Sequence, residues 1–317
     1  MTRHLALVGP TASGKSALAL ALARAADGAG GVELVSLDSM QVYRGLDIGT
    51  AKPTATERAE VVHHLVDVAE PSEEWSVQRT QLAARAAIAG IEARGKRAIL
   101  VGGTGLYVRA VVDDLQIQPT DAGRRAALDD AAADDAGLAR AYERLTQLDP
   151  VAAARMEPGN RRRIVRALEV IDLTGRKFSS FGPGIREYGA PAIDVTMFGI
   201  GFESPVLAER IGNRFDAMCE HGLVAEVESF AGQPLSRTAR EAIGYREVLA
   251  YLAGETTLDD AFDAAVRRTR RFARRQRVWF GRDPRVHWVD GARPVDALAR
   301  EIAAAWSAPA SLGAVAS

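Results

Sequence analysis

The 317-residue chain has a single cysteine, Cys219, so no intramolecular disulfide can form, and no Cys/His cluster has zinc-ligand spacing. A disulfide scaffold and a structural zinc site are both excluded. A long apolar run is also missing. The N-terminal MTRHLALVGPTASGK holds only about five apolar residues before a glycine turn, too short for a signal-sequence core or a membrane span. A cytoplasmic location and no membrane partner are therefore expected. Nor is there a surplus of charge of either sign: 40 basic against 41 acidic side chains leave a formal net charge of −1. That balance gives no global attraction to nucleic acid, so such a partner must be held by local patches. No internal repeat is present. What remains is an ordinary globular composition, 47% hydrophobic and 26% charged, able to bury a sizeable core. The length slightly exceeds what one core comfortably holds, which predicts a main domain with an insertion or a small second domain.

The first 110 or so residues alternate short apolar runs with Ala-rich helical stretches, the rhythm of βαβ units and a parallel sheet. LALV at 5–8, ELVSL at 33–37 and AILV at 98–101 read as buried strands; the stretches from Ser16 and from Ser76 to Arg94 read as helices. From about 118 to 194 the chain turns Ala-, Asp- and Arg-rich, with helical spacing such as LARAYERLTQL and no strand-like run until DVTMFGIG at 194–201. The expected architecture is thus α/β: a P-loop parallel-sheet core flanked by helices, formed by 1–117 and 195–317, with an all-helical insertion at 118–194. VHWVD at 286–290 reads as a further strand, and APASLGAVAS at the end as a frayed tail.

Residues 9–16, GPTASGKS, fit G-x-x-x-x-G-K-[ST] directly after the strand LALV and before a helix, the context that gives the motif its meaning. Gly9, Pro10, Thr11, Ala12, Ser13 and Gly14 form a turn whose backbone N–H groups wrap a phosphate, with the helix dipole adding a favourable field. Lys15 is placed to reach the outer phosphates, and the Ser16 hydroxyl to ligate Mg2+. The usual partner, a strand ending in Asp, is lacking: AILV runs into Gly102, Gly103 and Thr104. That argues against an ATPase. The nearest strand-end carboxylate is Asp38, at the tip of ELVSLD, where ligands of open α/β sheets bind. We take its strand as the neighbour of the phosphate-loop strand and Asp38 as a candidate general base.

Two segments carry the positive charge that overall neutrality hides. Arg155 to Lys177 has seven basic residues against three acidic, and Arg267 to Arg285 has nine arginines against Asp283 alone. Arg267, Arg270, Arg271, Arg274 and Arg275 fall along one broad helix face followed by Trp279 and Phe280, a pattern suited to tracking RNA phosphates. Pairing with acids elsewhere in the chain is the alternative. Asp259, Asp260 and Asp263 spell DDxxD, but at a helix start, where acids favour the dipole. His63 and His64 have no metal partner and read as packing and hydrogen-bonding residues.

GPTASGKS, DSMQVYRGLDIGTAKP, HHLVD, GGTGLY, DPVAAARMEPGNRRRIVRALEV and IGYRE occur in an order that resembles the tRNA dimethylallyltransferases, also called tRNA isopentenyltransferases, over roughly residues 4–290. The resemblance implies transfer of a prenyl group from dimethylallyl diphosphate to the exocyclic N6 amine of the adenosine 3′ of the tRNA anticodon, with Mg2+ as cofactor and diphosphate released. It implies Asp38 as the base and Thr104 near the reacting amine, although Thr104 equally suits an N-cap. It implies a base pocket lined by Asp38, Ser39, Met40 and Gln41, and an insertion gripping the anticodon stem-loop through Arg125, Arg162, Arg163 and Arg166. An arginine on the diphosphate is implied too, with Arg210 and Arg214, four apart in LAERIGNRF, both open, as is their pairing with Glu209 or Asp216. A monomer is expected. The rival readings are a prenyltransferase for free adenine nucleotides, which has no need of RNA-gripping arginines, a nucleoside or nucleotide kinase, which consumes ATP, and a P-loop RNA-binding module without chemistry.

Overall fold

The computed structural model describes residues 4–25, 31–181 and 187–307. It divides into two compact units, Met1–Asp114 with Gly189–Ser317, and Leu115–Tyr188. Both bounds fall earlier in the chain than the expected 117/118 and 194/195, by three and six residues. The expected tail at 308–317 lies outside the described residues.

The first unit is built on six parallel strands: β1 His4–Val8, β2 Val32–Ser36, β3 His63–His64, β4 Arg97–Gly102, β5 Val195–Gly201 and β6 Val286–Asp290, in the order β3-β2-β4-β1-β5-β6. Side chains alternate across the sheet with period two. Leu5, Leu7, Val32, Leu34, Ile99 and Ile200 face the helices Lys15–Ala25 and Val295–Ser307, whose Leu18, Leu22, Leu298, Ile302 and Trp306 complete that core. Ala6, Val8, Val35, Leu37, Leu100 and Met197 face the opposite way, onto the helices Val77–Ala93 and Gly105–Val112 through Ile88, Ile91, Val108 and Val111. Contrary to the expectation from sequence, the Asp38 strand is not the neighbour of the phosphate-loop strand. β2, which carries Asp38 at its end, pairs with β4 and β3, so β4 stands between it and β1.

β3 is the short strand hidden in HHLVD. His64 Nε2 lies 2.7 Å from Glu33 Oε2, and Glu33 also binds Arg94 at 2.6 Å and Lys96 at 3.0 Å. Although burial opposes ionisation, these partners hold the Glu33 carboxyl down at about 2. The paired histidines are thus structural. The DDxxD segment likewise opens the 23-residue helix Leu258–Phe280, where Thr257 caps the Asp260 N–H.

The second unit is all-helical, with helices Ala122–Ala131, Asp135–Leu148, Pro150–Ala153 and Arg161–Thr174 and a 3-10 turn at Phe178–Phe181. Leu145, Ala152, Ala153, Ile164, Ala167 and Leu168 form its core. Glu169, fully buried, accepts from Arg125 at 2.7 Å, from Arg166 at 2.7 Å and from the Asp121 N–H at 2.9 Å. Arg166 also donates to the carbonyls of Pro119 and Gln118. Two of the arginines assigned to RNA are therefore tied into the unit itself. Removing the carboxylate leaves its donors unpaired, but Arg125 and Arg166 are partly exposed and Arg166 keeps its bonds to Pro119 and Gln118, so Glu169→Ala should destabilise this unit by about 1–3 kcal/mol. Chemical denaturation followed by hydrogen exchange of the Arg161–Thr174 helix checks it.

Candidate functional site

The phosphate loop follows β1 because the chain must turn sharply from a buried strand into a helix. Gly9 and Gly14 take positive φ, +140° and +85°, and a Cβ on Gly9 would lie 2.9 Å from the Ile200 carbonyl. Ala12 also sits at φ 62°, an uncommon conformation for a residue with a side chain, of the kind that concentrates at ligand-binding turns. Lys15 Nζ curls back to donate to the carbonyls of Gly9 at 3.0 Å and Pro10 at 2.6 Å. Desolvation by burial lowers its pKa to about 7, with Asp38 pulling the other way and Arg214 reinforcing the fall. The Ser13 hydroxyl is buried with no hydrogen-bond partner among the described residues. An oxygen acceptor entering the loop would satisfy it. A hard cation such as Mg2+ requires oxygen donors, and Ser16, exposed at the start of the helix, is a hydroxyl placed to provide one.

A cavity of about 280 Å³ brings together the ends of three strands: Thr11 and Ala12 after β1, Asp38, Ser39 and Met40 after β2, and Thr104 after β4. The helix Ser204–Glu220 adds Arg214, Phe215 and Met218 to its walls; Ile243 and Phe272 extend the apolar side. Asp38 Oδ1 accepts from the Met40 N–H at 2.8 Å and, more weakly, from Gln41 N–H at 3.4 Å, which aims the carboxylate by a local turn. Thr104 occupies the N-cap of the helix Gly105–Val112, yet its side chain makes no capping bond. Thr104 thus does not act as a side-chain cap, and it lines the cavity with Asp38.

The two candidate arginines separate. Arg214 lines the cavity, and burial pushes its guanidinium below the usual range against the pull of Asp38. Arg210 is exposed, donates to the Ala12 carbonyl at 2.9 Å and lies over the Phe202 ring at 4.6 Å. Neither is ion-paired with Glu209 or Asp216 among the described residues. Arg214 and Met218 also line a wider cavity of about 620 Å³ with Lys52, Arg58 and His221.

Gln41 is not a wall of the smaller cavity. Its amide accepts from Ser36 Oγ at 2.9 Å and donates to the carbonyls of Thr50 at 3.3 Å and Ala51 at 3.1 Å, fastening the following loop. That loop has a second anchor the sequence reading misses. The Glu226 carboxylate accepts the N–H groups of Asp47, Ile48 and Gly49 at 3.0, 2.7 and 3.2 Å and the Tyr245 hydroxyl. Only the IGYRE block hinted at this region. In the arginine-rich helix, Arg268 pairs with Glu241 and Glu247 at 2.9 Å, as the acid-pairing alternative expects. Arg271, Arg274 and Arg275 are exposed with no carboxylate partner among the described residues; the same holds for Arg162 and Arg163 in the helical unit. Among the described residues no helix is long and apolar enough to cross a membrane, and no group of three or more His, Cys, Asp or Glu residues could hold a metal ion.

The chain is 50% identical over 288 residues to a tRNA dimethylallyltransferase of Salinispora tropica, covering 90% of this chain and 88% of that one. It is 48% identical to one from Corynebacterium glutamicum, covering 95% and 99%. Among solved structures, the tRNA isopentenylpyrophosphate transferase of Bacillus halodurans matches with a TM-score of 0.69 at 39% identity, over 97% of this chain and 96% of that one. A eukaryotic dimethylallyltransferase described as acting on tRNA matches with a TM-score of 0.74 at 26% identity, over 91% and 74%. An isopentenyl transferase model matches residues 2–67 and the IPP transferase model residues 41–283, so that this α/β protein, phosphate loop and Asp38 cavity included, belongs to the IPP transferase family.

Proposed function

We propose that the protein transfers a dimethylallyl group from dimethylallyl diphosphate to the exocyclic N6 amine of the adenosine 3′ of the tRNA anticodon, releasing diphosphate. The observation that carries this reading is the single cavity in which phosphate-loop residues, a strand-end carboxylate and an apolar wall meet. The diphosphate sits on the Gly9–Ser16 loop, where Ser13, Lys15 and Arg214 supply donors and positive charge as the leaving group departs. Ser16 would hold Mg2+, which when bound would supply further positive charge against the departing diphosphate. Met40, Phe215, Met218 and Phe272 enclose the prenyl chain and exclude water. An exocyclic adenine amine is a feeble nucleophile because its lone pair is delocalised into the ring, so a base must take its proton as the new C–N bond forms. Asp38 does this from the rim of the same cavity, with Thr104 holding the amine. The base must leave its stack to enter such a pocket.

Dimethylallyl diphosphate labelled in the prenyl chain, incubated with the protein, Mg2+ and bulk tRNA, should pass label to tRNA without ATP. Label moving to free adenine nucleotide, or an absolute need for ATP, would replace this reading with a rival.

The helical unit and the Arg271–Arg275 surface supply the RNA grip. Because Arg166 is bound to Glu169, the informative pair in the helical unit is Arg162 and Arg163. Neutralising both should raise the apparent KM for tRNA and flatten its salt dependence, each lost phosphate contact removing slightly less than one unit of log–log slope. The KM for dimethylallyl diphosphate should not move. Steady-state kinetics at several salt concentrations reads both quantities.

A further inference from the structure

Gln276 is the one polar side chain buried in the arginine-rich helix Leu258–Phe280, on the same stripe as Ala265, Ala273 and Phe280. A buried amide on an apolar stripe is costly unless both of its ends are bonded. Here they are. Its Oε1 accepts from the Thr11 N–H at 2.8 Å, and its Nε2 donates to the Gly103 carbonyl at 2.8 Å. One side chain therefore spans the phosphate loop after β1 and the turn after β4 that delivers Thr104. The packing is close: a Cβ on Gly103 would lie 2.5 Å from Gln276 Nε2. Its neighbour Arg275 lines the cavity.

We propose that Gln276 is a positioning residue that fixes the register between the diphosphate-binding loop and Thr104 and ties both to the arginine-rich helix. This rests on the function proposed above, because the two loops it joins are those assigned to the donor and to the acceptor amine. Gln276 itself is not a wall of the cavity. Its loss lets the loops drift apart, and misplacement on the order of 1 Å costs about 100-fold in rate.

The full-length chain carrying Gln276→Met, which keeps the side chain's length but removes its amide, should lose 10- to 100-fold in kcat, by the same misplacement scale. Its KM for dimethylallyl diphosphate should rise while its KM for tRNA stays near that of the unmodified chain; the unpaired Thr11 N–H and Gly103 carbonyl lower the thermal midpoint, so the kinetics are read well below it. A merely structural role predicts instead that both KM values rise together, and that result would overturn the proposal, as would an unchanged kcat. Gly103→Ala approaches the same contact from the other side. If the two residues act through one contact, Gly103→Ala combined with Gln276→Ala should be no slower than the worse single variant, whereas multiplying effects count against it. Should the unmodified chain transfer no prenyl group at all, the proposed function fails rather than this inference. Calorimetric binding of inorganic diphosphate then decides: weaker binding to Gln276→Met supports the positioning role, and equal binding refutes it.

Discussion

Replacing Asp38 with alanine should lower turnover by at least about 100-fold, the scale for losing a general base, with little change in tRNA affinity. The structure sharpens this expectation, because Asp38 has two duties. Its Oδ1 holds the turn to Met40, and its carboxylate faces the cavity. Alanine removes both, so slow turnover alone would leave a collapsed turn as an explanation. Asp38→Asn separates them, since its amide oxygen can still accept the Met40 N–H but cannot take a proton from the amine. The Asn variant should be nearly as slow as Ala while keeping its fold and its affinity for tRNA. Near-normal turnover of Asp38→Asn would make Asp38 a turn residue only.

Lys15→Ala should reduce kcat/KM for the donor by about 100-fold or more, because leaving-group charge that is not neutralised in a water-poor site costs several kcal/mol. Lys15 lies under the loop, bonded to the carbonyls of Gly9 and Pro10, and burial holds its pKa near 7 rather than in the usual lysine range. An arriving diphosphate supplies the counter-charge it lacks, so donor and lysine stabilise each other. Lys15→Met, which retains most of the apolar stem, should match Ala in the donor step if charge is what matters. Donor titrations at saturating tRNA measure the effect. An unaltered donor KM and rate would show that the diphosphate binds elsewhere.

Buried parallel strands are continuous apolar runs. For that reason LALV, ELVSL, AILV and DVTMFGIG find β1, β2, β4 and β5 within a residue or two. β3 escapes because two residues pairing only with Leu34 and Val35 leave no run to read. Strand order is a different matter. Nothing local to ELVSLD records that AILV inserts between it and the phosphate-loop strand, since that pairing is settled by the core on both faces of the sheet. The phosphate loop and Asp38 were legible because each is a local pattern tied to a strand end. Arg210 and Arg214 were not separable, since one helical turn decides which enters the cavity and both spacings fit the helix equally. Arg125 and Arg166 were placed on RNA by the resemblance alone, and no charge pattern records that the buried Glu169 also pairs with both. Gln276 carried a faint signal, a lone amide on the apolar stripe of an arginine-rich helix, but its two partners lie 265 and 173 residues away.

If the phosphate-loop cavity joins a prenyl diphosphate to an adenine amine in tRNA, the product must carry the prenyl group on that amine. The most direct measurement is mass analysis of nucleosides and anticodon-loop fragments from tRNA treated with the protein, Mg2+ and dimethylallyl diphosphate in the absence of ATP. One added five-carbon unit on N6 of the adenosine 3′ of the anticodon, with one diphosphate released per unit added, is the expected result. Unmodified tRNA under these conditions, or prenyl groups found on free nucleotides instead, would contradict it.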